Sequence, residues 1–206
     1  MNSQKSFWQR VSFWWKDRFN RLDLFDETLE PQHKKNPLYY MGSLMYITLV
    51  IQILVGSILA IQYIPTIDSA YKSVTYITES WKWFNFPIGF WLRGIHRYTA
   101  DALIILAMLR FLRYYFTADY KKPNELSWLN TIIFAIITTV FGFSGYVLPM
   151  DQRGYWATTI GTTMPTAVDY IPFIGNLKIG SFIQFIARGG TVLNQNTFLR
   201  FYALHY

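Results

Sequence analysis

The 206-residue chain contains no cysteine. That absence excludes disulfides, thiolate-held iron–sulfur clusters, Cys-based zinc sites and thioether-attached prosthetic groups. Histidine is scarce as well. His33, His96 and His205 are the only imidazoles, so any neutral nitrogen ligand must come from these three. Acid is the minority charge, with 12 Asp and Glu against 19 Lys and Arg and a formal net charge of +7. Such basicity would suit a nucleic-acid binder, but a nucleic-acid binder has no use for long stretches without charge. A membrane protein with its Lys and Arg gathered on the cytoplasmic side accounts for both facts.

Two such stretches exist. No charged residue lies between Lys35 and Asp68, where PLYYMGSLMYITLVIQILVGSILAIQYIP runs longer than the roughly 20 residues that cross a bilayer core. Tyr39, Tyr40 and Tyr63 sit near its ends, as interfacial aromatics do. Residues 126–150, LSWLNTIIFAIITTVFGFSGYVLPM, form the second charge-free span. Between them, residues 95–116 read IHRYTADALIILAMLRFLRYYF and carry Arg97, Asp101, Arg110 and Arg113. This segment is either a soluble helix or a span whose polar groups face something other than lipid. The chain must return across the membrane between two clear spans, which favours a span.

Residues 1–35 do not read as a cleavable signal peptide. The run SFWQRVSFWWKDRFNRL reads as an interfacial amphipathic helix with aromatics in the headgroups, or as a surface helix packed on partner protein. A membrane domain is expected over residues 36–206. Residues 151–196 suggest interfacial helix and turn, and NQNTFLRFYALHY opens a fourth apolar helix. The predicted fold is an all-α membrane protein, a transmembrane four-helix bundle of three full spans and the start of a fourth. Lys and Arg concentrate in the N-terminal segment and between the second and third spans, which predicts a cytoplasmic N-terminus. His96 and His205 then both lie near the outer face, and His33 reads as a solvated surface residue.

Two histidines at equal depth on facing helices can clamp a haem iron axially. Gly42, Gly56 and Gly145 would let a flat macrocycle between helices. Arg93, one turn before His96, could pair a propionate. The residues alone leave plainer roles open, since a membrane histidine often serves packing and a membrane glycine often serves close helix approach.

Longer motifs narrow the choice. KKPNELSWLNTIIFAIITTVFGFSGYVLPMDQRGYWA (residues 121–157) resembles the third helix and outer loop of the cytochrome b family. The P-x-x-G turn, the RGG triplet and T-x-x-R-F-Y-x-L-H that follow resemble the next family signature. GIHRYTADALIILAMLRFLRYYFT and the Gly42-to-Gly56 spacing agree, so the match runs from about residue 36 to the end. The details lean toward the short, split cytochrome b of bf-type and menaquinol-oxidising Rieske/cytochrome b complexes. The resemblance implies haem b held by His96 and His205 near the outer face, with Arg93 and Arg97 on the cofactor-binding side and Arg113 matching the inner-propionate arginine. It implies a quinol pocket walled by Phe143, Tyr146, Tyr155 and Ala157, with quinol as substrate. It implies a Rieske iron–sulfur protein, a c-type cytochrome and a separate C-terminal cytochrome b-like subunit as partners, in a homodimeric complex without nucleic acid.

The pattern breaks in the inner half. The family's second haem needs a histidine fourteen residues after the first, a spacing that returns to the same helix face roughly 21 Å deeper. Arg110 stands there, and guanidinium has no lone pair for iron. Thr131 replaces the glycine fourteen residues before Gly145, and Met150 replaces the tryptophan that usually follows Pro149. The chain ends before the fourth helix could present a second ligand, which a continuation on another chain would explain; Arg110 and Thr131 lie well inside it. A degenerate inner haem site is therefore expected. Competing readings are a scaffold subunit that kept the fold without full turnover, and the unrelated four-helix cytochrome b anchor of membrane dehydrogenases, which lacks the RFYALH signature.

Overall fold

The computed structural model describes residues 6–19, 40–118, 120–122 and 124–206; His33, Lys34 and Lys35 lie outside these. The described residues are helical, with one isolated bridge between Trp83 and Phe86. Helix α1 spans Phe7–Phe19 and exposes Phe7, Trp8, Phe13 and Trp15. Helix α2, Met41–Ala60, and helix α5, Glu125–Val147, are the two that are long and apolar enough to cross a membrane. Both expose large aliphatic side chains along their outer faces, Ile53 and Leu54 on α2 and Ile136 on α5 among them. An apolar exterior of this kind is what a lipid solvent permits.

Helix α4, Ile88–Phe116, packs between α2 and α5. It begins at the residue after Pro87, whose missing N–H and fixed φ suit a helix start. The sequence placed its start at residue 95; the observed helix is seven residues longer at that end. At about 1.5 Å per residue its 29 residues reach roughly 44 Å, enough to span with a turn to spare on each side. Met45 of α2 and Leu103 and Ala107 of α4 form the buried core, with Leu49, Leu106, Phe134 and Ala135 packed against them.

A further element, α3 (Ile67–Thr75), continues as a π-helical turn over Tyr76–Ser80 and lies in the first connection, where the sequence reading had placed no element. Gly89 lets this turn approach: a Cβ there would collide with the Ile77 carbonyl. The connection between α5 and the last described helix holds α6 (Gln152–Thr163), a 3-10 turn over Met164–Tyr170 and α7 (Ile179–Arg188), in keeping with the expected helix and turn. Helix α8, Gln195–His205, is started by a capping box: Asn194 Oδ1 accepts from the Thr197 N–H while Thr197 Oγ1 accepts from the Asn194 N–H.

Asp169, in the 3-10 turn, closes the start of α7. Its carboxylate accepts from the Ser181 hydroxyl at 2.5 Å and from the Gly180 and Ser181 N–H groups at 2.8 Å each. The Ser181 hydroxyl foremost, then the two amides and Lys178, hold the carboxyl below its usual range against the opposing effect of desolvation. A depressed folded-state value means stabilisation that is present at neutral pH and lost as pH falls through it. The protection of the Gly180 and Ser181 amides, measured as exchange relative to the intrinsic rate at each pH, should therefore fall on acidification, and Asp169→Asn should remove that dependence. An unchanged profile in the variant would rule out the carboxylate as its source.

Candidate functional site

His96 lies on the face of α4 that also carries Leu103 and Ala107, the face turned toward the bundle interior. His205 closes α8. Their ring centroids are 6.1 Å apart with planes 82° from parallel. Two imidazoles on opposite sides of one metal, each nitrogen at about 2.0–2.1 Å from it, put their ring centres roughly 6 Å apart.

Each ring rests on a glycine. A Cβ at Gly56 of α2 would lie 3.0 Å from His96 Cε1, and one at Gly145 of α5 would lie 2.6 Å from His205 Cε1. Any other residue at Gly145 would push the ring or the helix away. The glycines that the sequence singled out for a macrocycle thus also seat the two imidazoles.

The surroundings fix the rings further. His205 Nδ1 lies 3.1 Å from the Phe141 carbonyl and 3.1 Å from Ser144 Oγ. An Nδ1–H donated to that carbonyl leaves Nε2 with its lone pair, the arrangement that second-shell partners impose on metal-bound histidines. Gln52 Nε2 donates to the His96 backbone carbonyl at 2.7 Å and ties α2 to α4 at this level. His96 Nδ1 is buried with no hydrogen-bond partner. A buried, unpaired nitrogen is costly unless a further group meets it. Gln52 and Ser144 were not recognised in the sequence, although each is a polar residue inside a charge-free run.

Other candidates fall into two groups. Arg93 is half-buried and donates from Nη1 to Thr78 Oγ1 of the π-helical turn at 2.9 Å, so the first connection helps to hold it. Phe143 packs edge-on to Phe201 of α8 with centroids 5.9 Å apart, and its Cζ would meet a Cβ at Gly161 of α6 at 2.6 Å. It therefore sits where α5, α6 and α8 meet. Ala157 is half-buried on α6, whereas Tyr146 and Tyr155 are exposed and are not gathered with Phe143 into a closed pocket. Arg97 is also exposed, about 100° around α4 from His96.

The inner half shows a second, altered copy of the same layout. Fourteen residues before Gly56, a Cβ at Gly42 would lie 2.5 Å from Nη1 of Arg110. Arg110 thus meets Gly42 as His96 meets Gly56. Its guanidinium also lies 5.4 Å from the Tyr114 ring centre, with Arg113 at 5.5 Å from the same ring. Thr131 is 2% exposed and returns its hydroxyl to the Ser127 carbonyl at 2.8 Å, so its side chain adds bulk where the outer layout has Gly145.

The outer layer is tied to the rest of the chain by long-range bonds. Gln195, at the start of α8, accepts from the Ile67 N–H and donates to the Pro65 carbonyl, both at 3.0 Å. Tyr63 donates to the Leu148 carbonyl at 2.7 Å and packs against Tyr202. Burial, and then the nearby Tyr202, push its hydroxyl well above the ordinary phenol range, so it stays a donor. Arg188 donates to Thr162 Oγ1 at 2.8 Å, to Thr163 Oγ1 at 2.7 Å and to the Thr159 carbonyl at 3.2 Å.

Comparison with known proteins agrees with this layout. A family model described as cytochrome b/b6/petB matches residues 27–206. Cytochrome b6 of Euglena gracilis is 38% identical over 199 residues, covering 95% of this chain and 86% of that protein. Cytochrome b6 of Prochlorococcus marinus strain NATL1A is 33% identical over 195 residues, covering 93% and 83%. A solved structure titled hyperthermophilic respiratory Complex III aligns with a TM-score of 0.72 at 27% identity, over 82% of this chain. The match takes in 42% of that longer chain, so the present chain spans less than half of it. With the family model covering the whole described bundle, the chain belongs to the cytochrome b/b6/petB family of haem-binding membrane proteins of electron transport.

Proposed function

We propose that this chain is the haem b electron-transfer subunit of a quinol-oxidising Rieske/cytochrome b complex, with one bis-histidine haem near the outer face. The observation that carries the reading is the His96–His205 pair, its rings 6.1 Å apart and each seated on a glycine. The residues present fit the group. The separation suits two axial imidazoles, the unpaired His96 nitrogen has an atom to meet, and Gly56 and Gly145 leave no side chain in the way. When bound, haem b supplies a one-electron couple with little change in ligand geometry.

The chain's own groups do the remainder. His205 is held in one orientation by the Phe141 carbonyl, and the bond from Gln52 to the His96 backbone ties α2 to α4 at this level. Arg93, fixed by Thr78, is the cation for a propionate on the His96 side. Phe143, with Tyr146, Tyr155 and Ala157 around the α5–α6 end, forms the quinol-facing wall, completed by neighbouring subunits. Those neighbours are a Rieske protein, a c-type cytochrome and a separate C-terminal cytochrome b-like subunit, in a homodimeric assembly. The N-terminus lies on the cytoplasmic side, with α1 on the membrane surface and its exposed Trp and Phe among the headgroups.

In the inner half, Arg110 stands against Gly42 where a second imidazole would be required, and Thr131 narrows the same level. We read this as a site that does not hold a bis-histidine haem. Haem extraction from the purified complex, combined with a redox titration, tests it. One haem b of bis-histidine type per chain is expected; two such haems would refute the inner-site assignment. The same Arg110 placement favours, as a second reading, a subunit that retains the scaffold without relaying electrons. Reduction of the haem by quinol, blocked by an outer-site inhibitor, separates the two, because a scaffold gives no response.

A further inference from the structure

Asp101 sits close to the middle of α4, the helix that returns the chain across the membrane, and it is exposed. Five residues separate it from His96, a rotation of about 140° around the helix axis. His96 points toward α8, and Leu103 and Ala107 toward α2 and α5. Asp101 therefore faces away from the bundle, and neither α8 nor anything extending it along the same side could cover it. No ion pair or hydrogen bond joins its carboxylate to another described residue.

A carboxylate at mid-span facing hydrocarbon is costly, and such groups normally face a cavity or a partner. Arg97, one turn nearer the outer end, is exposed on the same side. Its long side chain can carry its charge outward to the headgroups. The short Asp101 side chain has no such escape.

Gly94 supplies an independent observation. It lies on the same face, one turn before Arg97 and Tyr98, and a Cβ there would meet nothing within 4 Å. Unlike Gly56, Gly89 and Gly145, it is not required by any contact with the described residues. Glycine inside a helix costs about 1 kcal/mol relative to alanine. In membranes its usual return is to let a neighbouring helix come close.

We propose that the Gly94–Asp101 face of α4 docks a transmembrane helix of a different subunit, one that carries a Lys, Arg or His at mid-span to pair with Asp101. A second copy of this chain is the poorer occupant. A two-fold axis along the membrane normal would bring Asp101 against its own equivalent at equal depth, like charge on like charge.

The absence of cysteine makes the test clean. Tyr98→Cys, labelled in native membranes with a photoactivated maleimide crosslinker, should give an adduct with a spanning segment of another subunit, at a residue within a turn of a basic side chain. Asp101→Lys should release that subunit during purification, and replacing its basic residue with Asp should restore it. Asp101→Asn serves if the Lys variant fails to accumulate. It should lower retention roughly three- to tenfold, the range that measured interhelical polar contacts imply. Haem absorbance should be unchanged in either variant that accumulates, so this outcome is independent of the haem assignment. Adducts confined to a second copy or to lipid, or unaltered retention in Asp101→Asn, would overturn the proposal.

Discussion

Purified complex carrying His96→Ala or His205→Ala should contain essentially no low-spin haem b. On the proposed assignment each ring would hold one side of the iron, and the two sit on separate helices, α4 and α8, that the bound group would join. Loss of either would leave the group with a single imidazole, with altered absorbance if any were retained. The His205 variant should also free the Phe141 carbonyl and Ser144 hydroxyl, which now meet Nδ1 at 3.1 Å. Replacement by glycine with imidazole in the medium separates ligand loss from misfolding. Imidazole entering the vacated space should restore the low-spin spectrum, whereas a collapsed bundle would stay unresponsive. Retention of a full low-spin spectrum in either alanine variant would remove that histidine from the ligand set.

The second large effect is expected at Arg188. Its guanidinium joins three α6 groups, the Thr162 and Thr163 hydroxyls and the Thr159 carbonyl, and also reaches the Thr191 carbonyl at 3.3 Å. Its own carbonyl accepts from Thr197 Oγ1 at 2.5 Å, at the start of the helix that presents His205. Bonds to a charged donor contribute about 1.5–3 kcal/mol each when buried, and several of these are partly exposed. Arg188→Leu should therefore destabilise the outer segment by about 2–4 kcal/mol. Arg188→Lys should recover only part of it, because an ammonium group cannot reproduce the planar fork. Thermal release of haem reports the change; equal release temperatures for wild type and Arg188→Leu would contradict the role.

Much of this arrangement could be read from residue order. The charge-free runs located α2 and α5, and the family-like order of glycines and histidines singled out His96 and His205, which the fold brings together. Those signals are legible because they depend on periodicity within one helix. What escaped depends on contact between helices. Asp169 and Arg188 look like ordinary surface charges in an interfacial stretch; only the packing of the 3-10 turn and α6 against α7 shows that Asp169 completes a set of backbone and serine bonds and Arg188 a set of backbone and threonine bonds. The α3 segment escaped for a different reason. Its roughly two and a half turns of amphipathic pattern are short, and its π-helical continuation follows no regular spacing. The wall residues divide likewise: Phe143 is placed by Gly161 and Phe201, while the exposed Tyr146 and Tyr155 have their positions completed, on our reading, by other subunits.

The bonds from Gln195 back to Pro65 and Ile67 carry a consequence for the order of events during synthesis. They join groups about 130 residues apart in sequence, and Tyr63 reaches Leu148 across 85. Contacts of such separation close late, after the loop between them has lost its freedom. The ribosome delivers α2, α4 and α5, with Gly56, His96 and Gly145, before α8 brings the second imidazole. Between those moments the bundle holds a half-built socket open to lipid. On the proposed haem assignment, a chain arrested before residue 205 would be threaded through the membrane without its second imidazole and would not hold the group.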